Sequence, residues 1–146
     1  MCLHMEIKEL MNPSVVTIEP TASAALAARL ISRHNIGVLP VCGEDRRLRG
    51  VVTDRDIVLR CVAAEEDPAH TLVRDIMTRG CATVSPHEDC RAATRLMAQK
   101  QVRRLPVVEE GRLVGIISLA DLARSQRFDM EAAQALGEIS ENIIRR

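Results

Sequence analysis

The chain has 146 residues, with 20 Lys plus Arg and 20 Asp plus Glu, so its formal net charge is zero. Phe128 is the single aromatic residue, with no Trp and no Tyr. Balanced charge and missing aromatic faces argue against nucleic-acid binding and cages for cationic ligands. No apolar run approaches the roughly 18 residues that a membrane helix needs, and the N-terminus lacks the features of a signal peptide. We therefore expect a cytoplasmic protein without membrane or nucleic-acid partners.

The cysteines and histidines predict no catalytic or metal site. The five cysteines are odd in number and none forms a C-x-x-C pair, which argues against a disulfide framework. Cys42 and Cys61 lie in apolar segments and are predicted to be buried. A redox role for an exposed cysteine, Cys2 or Cys90, stays open as an alternative. The C-x5-H-x2-C spacing around His87 is too loose for zinc, and we predict that the protein is not an enzyme.

The sequence contains an internal duplication. A shift that places Met11 on Met77 also places Pro20 on Pro86 and residues 39–41 on 105–107. One residue is lost in the following turn, after which Gly50 meets Gly115 and Asp56 meets Asp121. Identities spread over the whole unit indicate two copies of one structural repeat.

In chain order, each copy is predicted to contain a helical lead-in, a short strand, a helix, two strands joined by a polar turn, and a second helix. In the first copy these elements cover 7–11, 15–18, 22–34, 38–42, 48–52 and a helix from 54. In the second they cover 73–77, 82–85, 88–101, 105–108, 113–117 and a helix from 119. Pro20 and Pro86 end the first strands, and Thr21 or Ser23 caps the following helix.

One strand-helix-strand-strand-helix unit is too small to cover its own sheet. Two units should therefore pack as one α/β (α+β) body with pseudo-two-fold symmetry. We divide the chain into repeats at 7–63 and 73–125, a C-terminal helix at 128–146 and a lead-in at 1–6. The tail carries an apolar stripe at helical spacing that predicts packing on the same body or, alternatively, a dimer contact: Phe128, Ala132, Leu136, Ile139 and Ile143.

A short phrase occurs twice, as GVVTDRDIV from Gly50 and as GIISLADLA from Gly115. In both copies a hydroxyl residue follows an apolar strand and precedes an aspartate by three positions, which fits a helix capping box. The same geometry suits a ligand, because helix N-terminal amides attract phosphate and a carboxylate accepts hydrogen bonds from a ribose diol. The two roles are compatible. Each glycine allows another backbone or a ligand to approach closely.

These motifs together resemble a CBS domain pair, or Bateman module, over about residues 7–124. The resemblance rests on Pro before the first helix, hydrophobic-Pro-Val on the middle strand and G-h-h-[ST]-x-x-D at the last helix. The first copy resembles small stand-alone bacterial CBS proteins with T-D-R-D, and the second is similar to repeats of the AMP-activated kinase gamma subunit. The resemblance implies tandem CBS repeats with adenosine-ligand sites in clefts between them.

The resemblance also implies roles for individual residues. Asp56 and Asp121 would hold ribose hydroxyls, and Thr53 and Ser118 would contact ribose or phosphate. Arg104 matches a basic residue that contacts phosphate, and Arg103 matches a further basic residue. The full expected set of ligand-binding residues is Thr17, Val38, Pro40, Thr53, Arg55, Asp56, Thr83, Arg103, Arg104, Leu105, Pro106, Ser118 and Asp121.

The first copy departs from that pattern, since Gly37 and Val38 stand where the second copy has Arg103 and Arg104. Arg55 is the alternative source of positive charge there, or else a solvated arginine in the first helical turn. Without Trp or Tyr, adenine would lie between aliphatic side chains, for which the candidates are Val16, Ile36 and Val38 in the first copy and Val84, Val102 and Leu105 in the second.

Two functions follow from the resemblance. The first is a sensor that binds AMP, ADP, ATP, S-adenosylmethionine or NAD(H) between its repeats and signals to another protein by a conformational change. The second is a ligand-free module for dimerisation or protein interaction. A homodimer of CBS pairs is expected by analogy, and no cofactor or metal is required.

Overall fold

The computed structural model describes residues 4–124 and 134–140. The chain divides into two compact units. Unit 1 comprises Met1–Val15, Ala82–Glu110 and Val114–Arg146, and unit 2 comprises Val16–Cys81 and Gly111–Leu113. The second repeat thus forms most of unit 1, and the first repeat forms most of unit 2.

The elements follow the duplicated order of the sequence. After a 3-10 turn at Ile7–Glu9 come α1 (Ala24–His34), β1 (Val38–Cys42), β2 (Leu48–Thr53) and α2 (Asp54–Ile57), which continues as a π-helical segment at Val58–Val62. The second repeat contains α3 (Val73–Ile76), α4 (Cys90–Lys100), β3 (Arg104–Glu109), β4 (Arg112–Ser118) and α5 (Leu119–Ala123). The predicted mixture of helices and strands is confirmed.

Local chemistry places the starts of the long helices. The Ser23 hydroxyl accepts a hydrogen bond from the Leu26 amide at 3.1 Å, so α1 is capped by Ser23 rather than Thr21. The Asp89 carboxylate accepts one from the Arg91 amide at 2.9 Å and caps α4. Both helices therefore begin two residues later than the apolar pattern alone predicts, because the capping residue itself is extended.

The predicted first strands at 15–18 and 82–85 are wrong as strands. Each segment makes a single parallel bridge, Ile18 with Val41 and Val84 with Val107. The Ile18 amide donates to the Pro40 carbonyl at 3.1 Å, and Ile18 accepts from the Cys42 amide at 3.0 Å. Pairing with β1 or β3 stops after this one residue, because the chain turns at the proline that follows each segment. Each two-stranded sheet therefore has a single bridge residue at its edge in place of a third strand.

Each unit has its own hydrophobic core. In unit 2, Leu39 and Val41 of β1 and Val52 of β2 are fully buried against Ala27 of α1. In unit 1 the matching side chains are Leu105 and Val107 of β3, Ile117 of β4 and Met97 of α4. The alternate apolar residues of the strands therefore provide the surface on which each long helix packs.

The lead-in segments pack on the body of the other repeat. Ile7 belongs to the unit 1 core, and its amide donates to the Glu88 carbonyl at 2.9 Å. Val73 and Ile76 of α3 belong to the unit 2 core. Sequence order alone places each lead-in with its own repeat, but each compact unit joins one repeat body to the lead-in of the other copy.

The tail is described only at 134–140, which are helical. Ala135 and Ile139 are buried there and Leu136 is exposed, whereas Phe128, Ala132 and Ile143 lie outside the described residues. Of the predicted stripe, Ile139 is thus buried and Leu136 is not, and the residue that joins the unit 1 core, Ala135, lies outside the stripe. Within residues 4–124 and 134–140, no helix combines the length and apolarity that a bilayer crossing requires.

Candidate functional site

A reciprocal pair of hydrogen bonds joins Thr53 and Asp56 at the junction of β2 and α2. The Asp56 amide donates to the Thr53 hydroxyl at 3.0 Å, and the Thr53 amide donates to Asp56 Oδ2 at 3.0 Å. This is the predicted capping box. The hydroxyl and the carboxylate thus lie on one side of the junction, and Asp56 is buried while Arg55 points to solvent.

Unit 1 carries the same arrangement at the junction of β4 and α5. The Asp121 amide donates to the Ser118 hydroxyl at 3.0 Å, and the Ser118 amide donates to Asp121 Oδ2 at 2.9 Å. Asp121 Oδ1 also accepts from the Arg124 guanidinium. Both copies of the repeated phrase therefore fold identically at the cap and differ in what surrounds the carboxylate.

In unit 2 the other predicted residues lie on β1 and on the segment bridged to it. Val38 pairs with Thr53, and Pro40 pairs with Val51, in the antiparallel register of β1 and β2. Thr17 precedes the bridge residue Ile18, whose amide binds Pro40. Thr17 and Val38 are half-buried. The Ile18 segment, β1 and β2 therefore lie side by side, and Val38 is the residue paired with the cap residue Thr53.

In unit 1 the two arginines lie at the equivalent place. The Arg103 carbonyl accepts from the Leu119 amide at 2.8 Å, which fixes the start of β3 beside the first residue of α5. Arg103 and Arg104 are exposed. The backbone that carries these two arginines is thus bonded to α5 directly after Ser118, whereas Gly37 takes the matching contact in unit 2, where its carbonyl accepts from the Asp54 amide at 3.4 Å.

Of the other residues of unit 1 that the sequence predicts to contact a ligand, some lie on the surface and some lie in the hydrophobic core. The Val84 amide donates to the Pro106 carbonyl at 3.1 Å, so Thr83, which is exposed, lies next to β3. Leu105 is 1% exposed and Val84 is 3% exposed, and both belong to the hydrophobic core. Their side chains are therefore not free to form the wall of an adenine pocket, and only half-buried or exposed aliphatics such as Val102 retain that capacity.

The expectation that open amides at the helix start would bind phosphate is wrong for unit 2. The Asp54 amide donates to Gly37, the Arg55 amide to the Asp54 carboxylate at 2.9 Å, and the Asp56 amide to Thr53. The capping chemistry consumes the donors that a phosphate would need. Positive side chains are then the remaining phosphate donors, and the candidates from the sequence are Arg55 in unit 2 and Arg103 and Arg104 in unit 1.

Sequence reasoning missed Thr78 and Arg60. The Thr78 hydroxyl donates to Asp56 Oδ1 at 3.1 Å and lies 3.3 Å from Oδ2. Arg60 Nη1 lies 3.5 Å from Asp56 Oδ1. The duplication was the available signal in the sequence. It aligns Thr78 with Asn12 of the first copy, and so marks a position where the two copies carry different polar side chains.

The candidate glycines serve the backbone. A Cβ at Gly50 would overlap the carbonyl oxygen of Thr78, and one at Gly115 would lie 3.0 Å from the Asn12 carbonyl oxygen and 2.7 Å from Met11 Sδ. The sequence left open whether a backbone or a ligand approaches these glycines. The structure contains the first alternative, because the backbone at the end of each helical lead-in passes directly over the glycine.

The cysteines and His87 are accounted for by packing and ion pairs. Cys42 and Cys61 are buried, as predicted. The redox alternative fails for Cys90, which is fully buried, because burial and the nearby Asp89 charge raise the pKa of its thiol to about 11; Cys2 lies outside the described residues. His87 contacts Glu6 and Glu109, and its hydrogen bond lowers the pKa of the Glu6 carboxyl.

A cleft of about 400 Å³ lies elsewhere in unit 1, between α4 and the helix at 134–140. Its lining residues are Arg91, Thr94, Arg95, Ala98, Gln99, Gln134, Ala135 and Glu138. No predicted ligand-binding residue is among them. The cleft is therefore separate from the two strand-helix junctions.

The structure contains two copies of a helix-strand-strand-helix unit, each preceded by an extended segment bridged to the sheet and each with a Ser/Thr-Asp box after its last strand. The profile of the CBS domain family matches residues 7–62 and 73–127. The chain belongs to the CBS domain family and contains a pair of CBS repeats.

Relatives of similar size support this assignment. The chain is 40% identical over 134 residues to the CBS domain-containing protein YhcV of Bacillus subtilis, covering 92% of this chain and 94% of that protein. A crystal structure of Hypoxic Response Protein I with two coordinated zinc ions is 37% identical and superposes with a TM-score of 0.76 over 82% of this chain and 98% of that chain. The CBS domain pair of protein MJ0100, in complex with 5′-methylthioadenosine and S-adenosyl-L-methionine, is 27% identical with a TM-score of 0.72 over 83% of this chain and 94% of that chain.

Proposed function

We propose that this protein is a regulatory module that binds an adenosine-containing ligand at its Ser/Thr-Asp junctions and signals to a partner protein. The observation that carries the proposal is the pair of carboxylates at Asp56 and Asp121, each held beside a hydroxyl at the end of a strand. A carboxylate in this position offers two acceptors to the two hydroxyls of a ribose. The MJ0100 complex is a relative that binds adenosine compounds.

The charge distribution supports the unit 1 junction as the site for a phosphorylated or otherwise anionic ligand. Arg103 and Arg104 lie at the start of β3, and the Arg103 backbone is bonded to α5. Arginine forks match phosphate oxygens bidentately. AMP, ADP and ATP carry such groups. S-adenosylmethionine and NAD(H) share the ribose diol and belong to the same test.

Catalysis is not part of this proposal. The Thr53 and Ser118 hydroxyls each accept a capping hydrogen bond, and the carboxylate that the Thr78 hydroxyl contacts, Asp56, is buried. Binding would shift the equilibrium between two conformations of the protein. The size of that shift is set by the difference between the ligand's affinities for the two conformations. A partner protein in the cytoplasm would respond to that shift.

A thermal-unfolding panel with AMP, ADP, ATP, S-adenosylmethionine and NADH tests the proposal. A ligand at about 100 times its dissociation constant adds about 2.7 kcal/mol of stability, which raises the midpoint by about 5–11 °C at about 2–4 °C per kcal/mol for a chain of this size. We expect a selective shift that Asp121→Ala removes and that Asp75→Ala, an exposed carboxylate on α3, leaves unchanged. Equal shifts in wild type and Asp121→Ala, with circular dichroism showing an intact fold, would refute the site assignment.

A second function, a dimerisation module without a ligand, is favoured by one observation. Val58, Leu59 and Val62 on the π-helical segment after α2 are 55%, 51% and 60% exposed. Exposed apolar side chains grouped on one segment are typical of contact surfaces. If no compound in the panel shifts the midpoint and Leu59→Glu converts a dimer to a monomer in analytical ultracentrifugation, this second function is the correct one.

A further inference from the structure

The two Ser/Thr-Asp junctions are not chemically equivalent, because unit 2 supplies its own hydrogen-bond donor to the aspartate. We propose that the Thr78 hydroxyl occupies the ribose-binding face of Asp56 and closes that junction, so that the Asp121 junction takes a diol ligand first. The inference rests on the proposed function, since it concerns which of the two carboxylates is open to the ligand.

Thr78 is aimed at the carboxylate from the lead-in of the other repeat. Its hydroxyl is 3.1 Å from Asp56 Oδ1 and 3.3 Å from Oδ2, so its single proton lies across both oxygens. These are the two acceptors that a ribose diol would use. The side chain of Asp56 is only 9% exposed, so Thr78 also limits access of water.

The backbone fixes Thr78 at this place. The Thr78 amide donates to Val51 at 2.8 Å, and the Val51 amide donates to Thr78 at 3.0 Å, which forms an antiparallel bridge to β2. Gly50 lets this bridge form, since any Cβ there would overlap the Thr78 carbonyl oxygen. Both ends of the Thr78–Asp56 hydrogen bond are therefore held by main-chain contacts of unit 2.

Arg60 strengthens the closure. Its Nη1 donates to the carbonyls of Ile76 and Met77 at 2.9 and 3.0 Å and lies 3.5 Å from Asp56 Oδ1. The guanidinium thus joins the end of α3 to the carboxylate. A ligand at Asp56 would have to displace a hydroxyl and compete with a cation that is anchored by two other bonds.

Unit 1 has an asparagine, Asn12, at the position equivalent to Thr78, and the arginine on its carboxylate is Arg124, which comes from α5's own C-terminal end. Asn12 forms the matching backbone bridge with Ile116, but its side-chain oxygen accepts from the Ser14 amide at 2.9 Å. Within the described residues, the polar partners of the Asp121 carboxylate are the Ser118 amide and Arg124. Arg124 is 73% exposed, so it can leave the carboxylate for solvent.

Thr78→Val tests the inference by removing the hydroxyl and keeping the shape. Isothermal titration with AMP and with adenosine should give one Asp121-dependent site in the wild type. In Thr78→Val a second site should appear at Asp56, with an affinity about tenfold higher than the wild type has at that junction. This second site should be absent from the double variant Thr78→Val with Asp56→Ala. Thr71→Val, which removes a hydroxyl that donates to the Asp67 carbonyl in the same unit, is the matched control. Two equal sites in the wild type, or one site in Thr78→Val, would overturn the inference while leaving ligand binding established.

A ligand-free measurement separates this inference from the proposed function. Thr78→Val should lower the unfolding midpoint by on the order of 3 °C in the wild type and by much less in Asp56→Asn, because the partner charge is absent there. Equal losses in both backgrounds would show that the hydroxyl and the carboxylate do not interact, whatever AMP does. Coupled losses together with no binding of AMP or adenosine to any variant would support the closure and refute the proposed function for these ligands.

Discussion

Thr53 and Asp56 cap each other at the start of α2, with both hydrogen bonds at 3.0 Å. Ser118 and Asp121 repeat the arrangement at α5, at 3.0 and 2.9 Å. The aspartates therefore have a structural role before any ligand is considered. Mutations at these positions should therefore change folding, and their effect on the proposed ligand binding has to be measured separately.

Thr53→Ala should reduce the free energy of unfolding by about 0.5–2 kcal/mol without ligand, because the Asp56 amide loses its acceptor. The measurement is urea denaturation followed by circular dichroism. Thr53→Ser keeps the hydroxyl and should remain within about 0.5 kcal/mol of the wild type. Unchanged stability in Thr53→Ala would mean that the hydroxyl serves only a ligand.

The sequence predicted the local part of this site. The capping boxes join residues three positions apart, so spacing and residue type are sufficient to find them. The bounds of β1 followed in the same way, because an apolar run is closed by the turn after Cys42. Features that depend on residues within one helical turn or one strand can therefore be predicted from the sequence.

The contacts between distant residues could not be found in that way. The Thr78–Asp56 hydrogen bond joins residues 22 apart, and it exists because α3 packs on the first repeat instead of the second. The short strands were overpredicted for a related reason. Valine, isoleucine and threonine favour extended backbone, but in these two segments only Ile18 and Val84 form a bridge before the chain turns.

Cys90 should resist alkylation in the native protein. Its thiol has a pKa of about 11 because it is buried and lies near Asp89, and the thiolate is the reactive form. Treatment with iodoacetamide near pH 8, followed by peptide mass spectrometry, should leave Cys90 unmodified in buffer and modify it fully in guanidinium. Cys81, which is partly exposed, serves as the internal comparison. Modification of Cys90 as rapid as that of Cys81 would contradict the packing of α4.

Acid should destabilise the fold through carboxyl groups that are hydrogen-bonded in the native state. Hydrogen bonds from histidine side chains lower two carboxyl pKa values: His87 lowers that of Glu6, and His70 lowers that of Asp67. Hydrogen bonds from backbone amides lower two more: the Arg47 amide lowers the pKa of Asp45, and the Arg91 amide lowers that of Asp89. A lowered native pKa adds stability above the unfolded value and loses it as the pH falls through the native value. The unfolding midpoint should therefore drop between about pH 5 and pH 3.

Asp89→Asn is the control for that pH dependence. Asparagine keeps the cap of α4 without a titrating group, so the variant should match the wild type near neutral pH and lose less stability in acid. Differential scanning calorimetry over a pH series measures both quantities. A wild-type midpoint that stays constant from about pH 5 to pH 3 would show that these native hydrogen bonds do not favour the ionised carboxylates.

Gly50→Ala should disrupt the docking of the second lead-in on unit 2. The added Cβ would overlap the Thr78 carbonyl oxygen, which is held by the bridge to Val51 and cannot move without breaking that bridge. Overpacking of this kind costs about 1–3 kcal/mol. Gly37→Ala is the matched control, because nothing lies within 4 Å of a Cβ there and loss of chain entropy in the unfolded state should leave stability unchanged or slightly higher. Hydrogen exchange should show faster exchange of the Thr78 and Val51 amides in Gly50→Ala only. If the two glycine variants unfold at the same urea concentration, the lead-in does not pack over Gly50, and the closure of Asp56 by Thr78 fails with it.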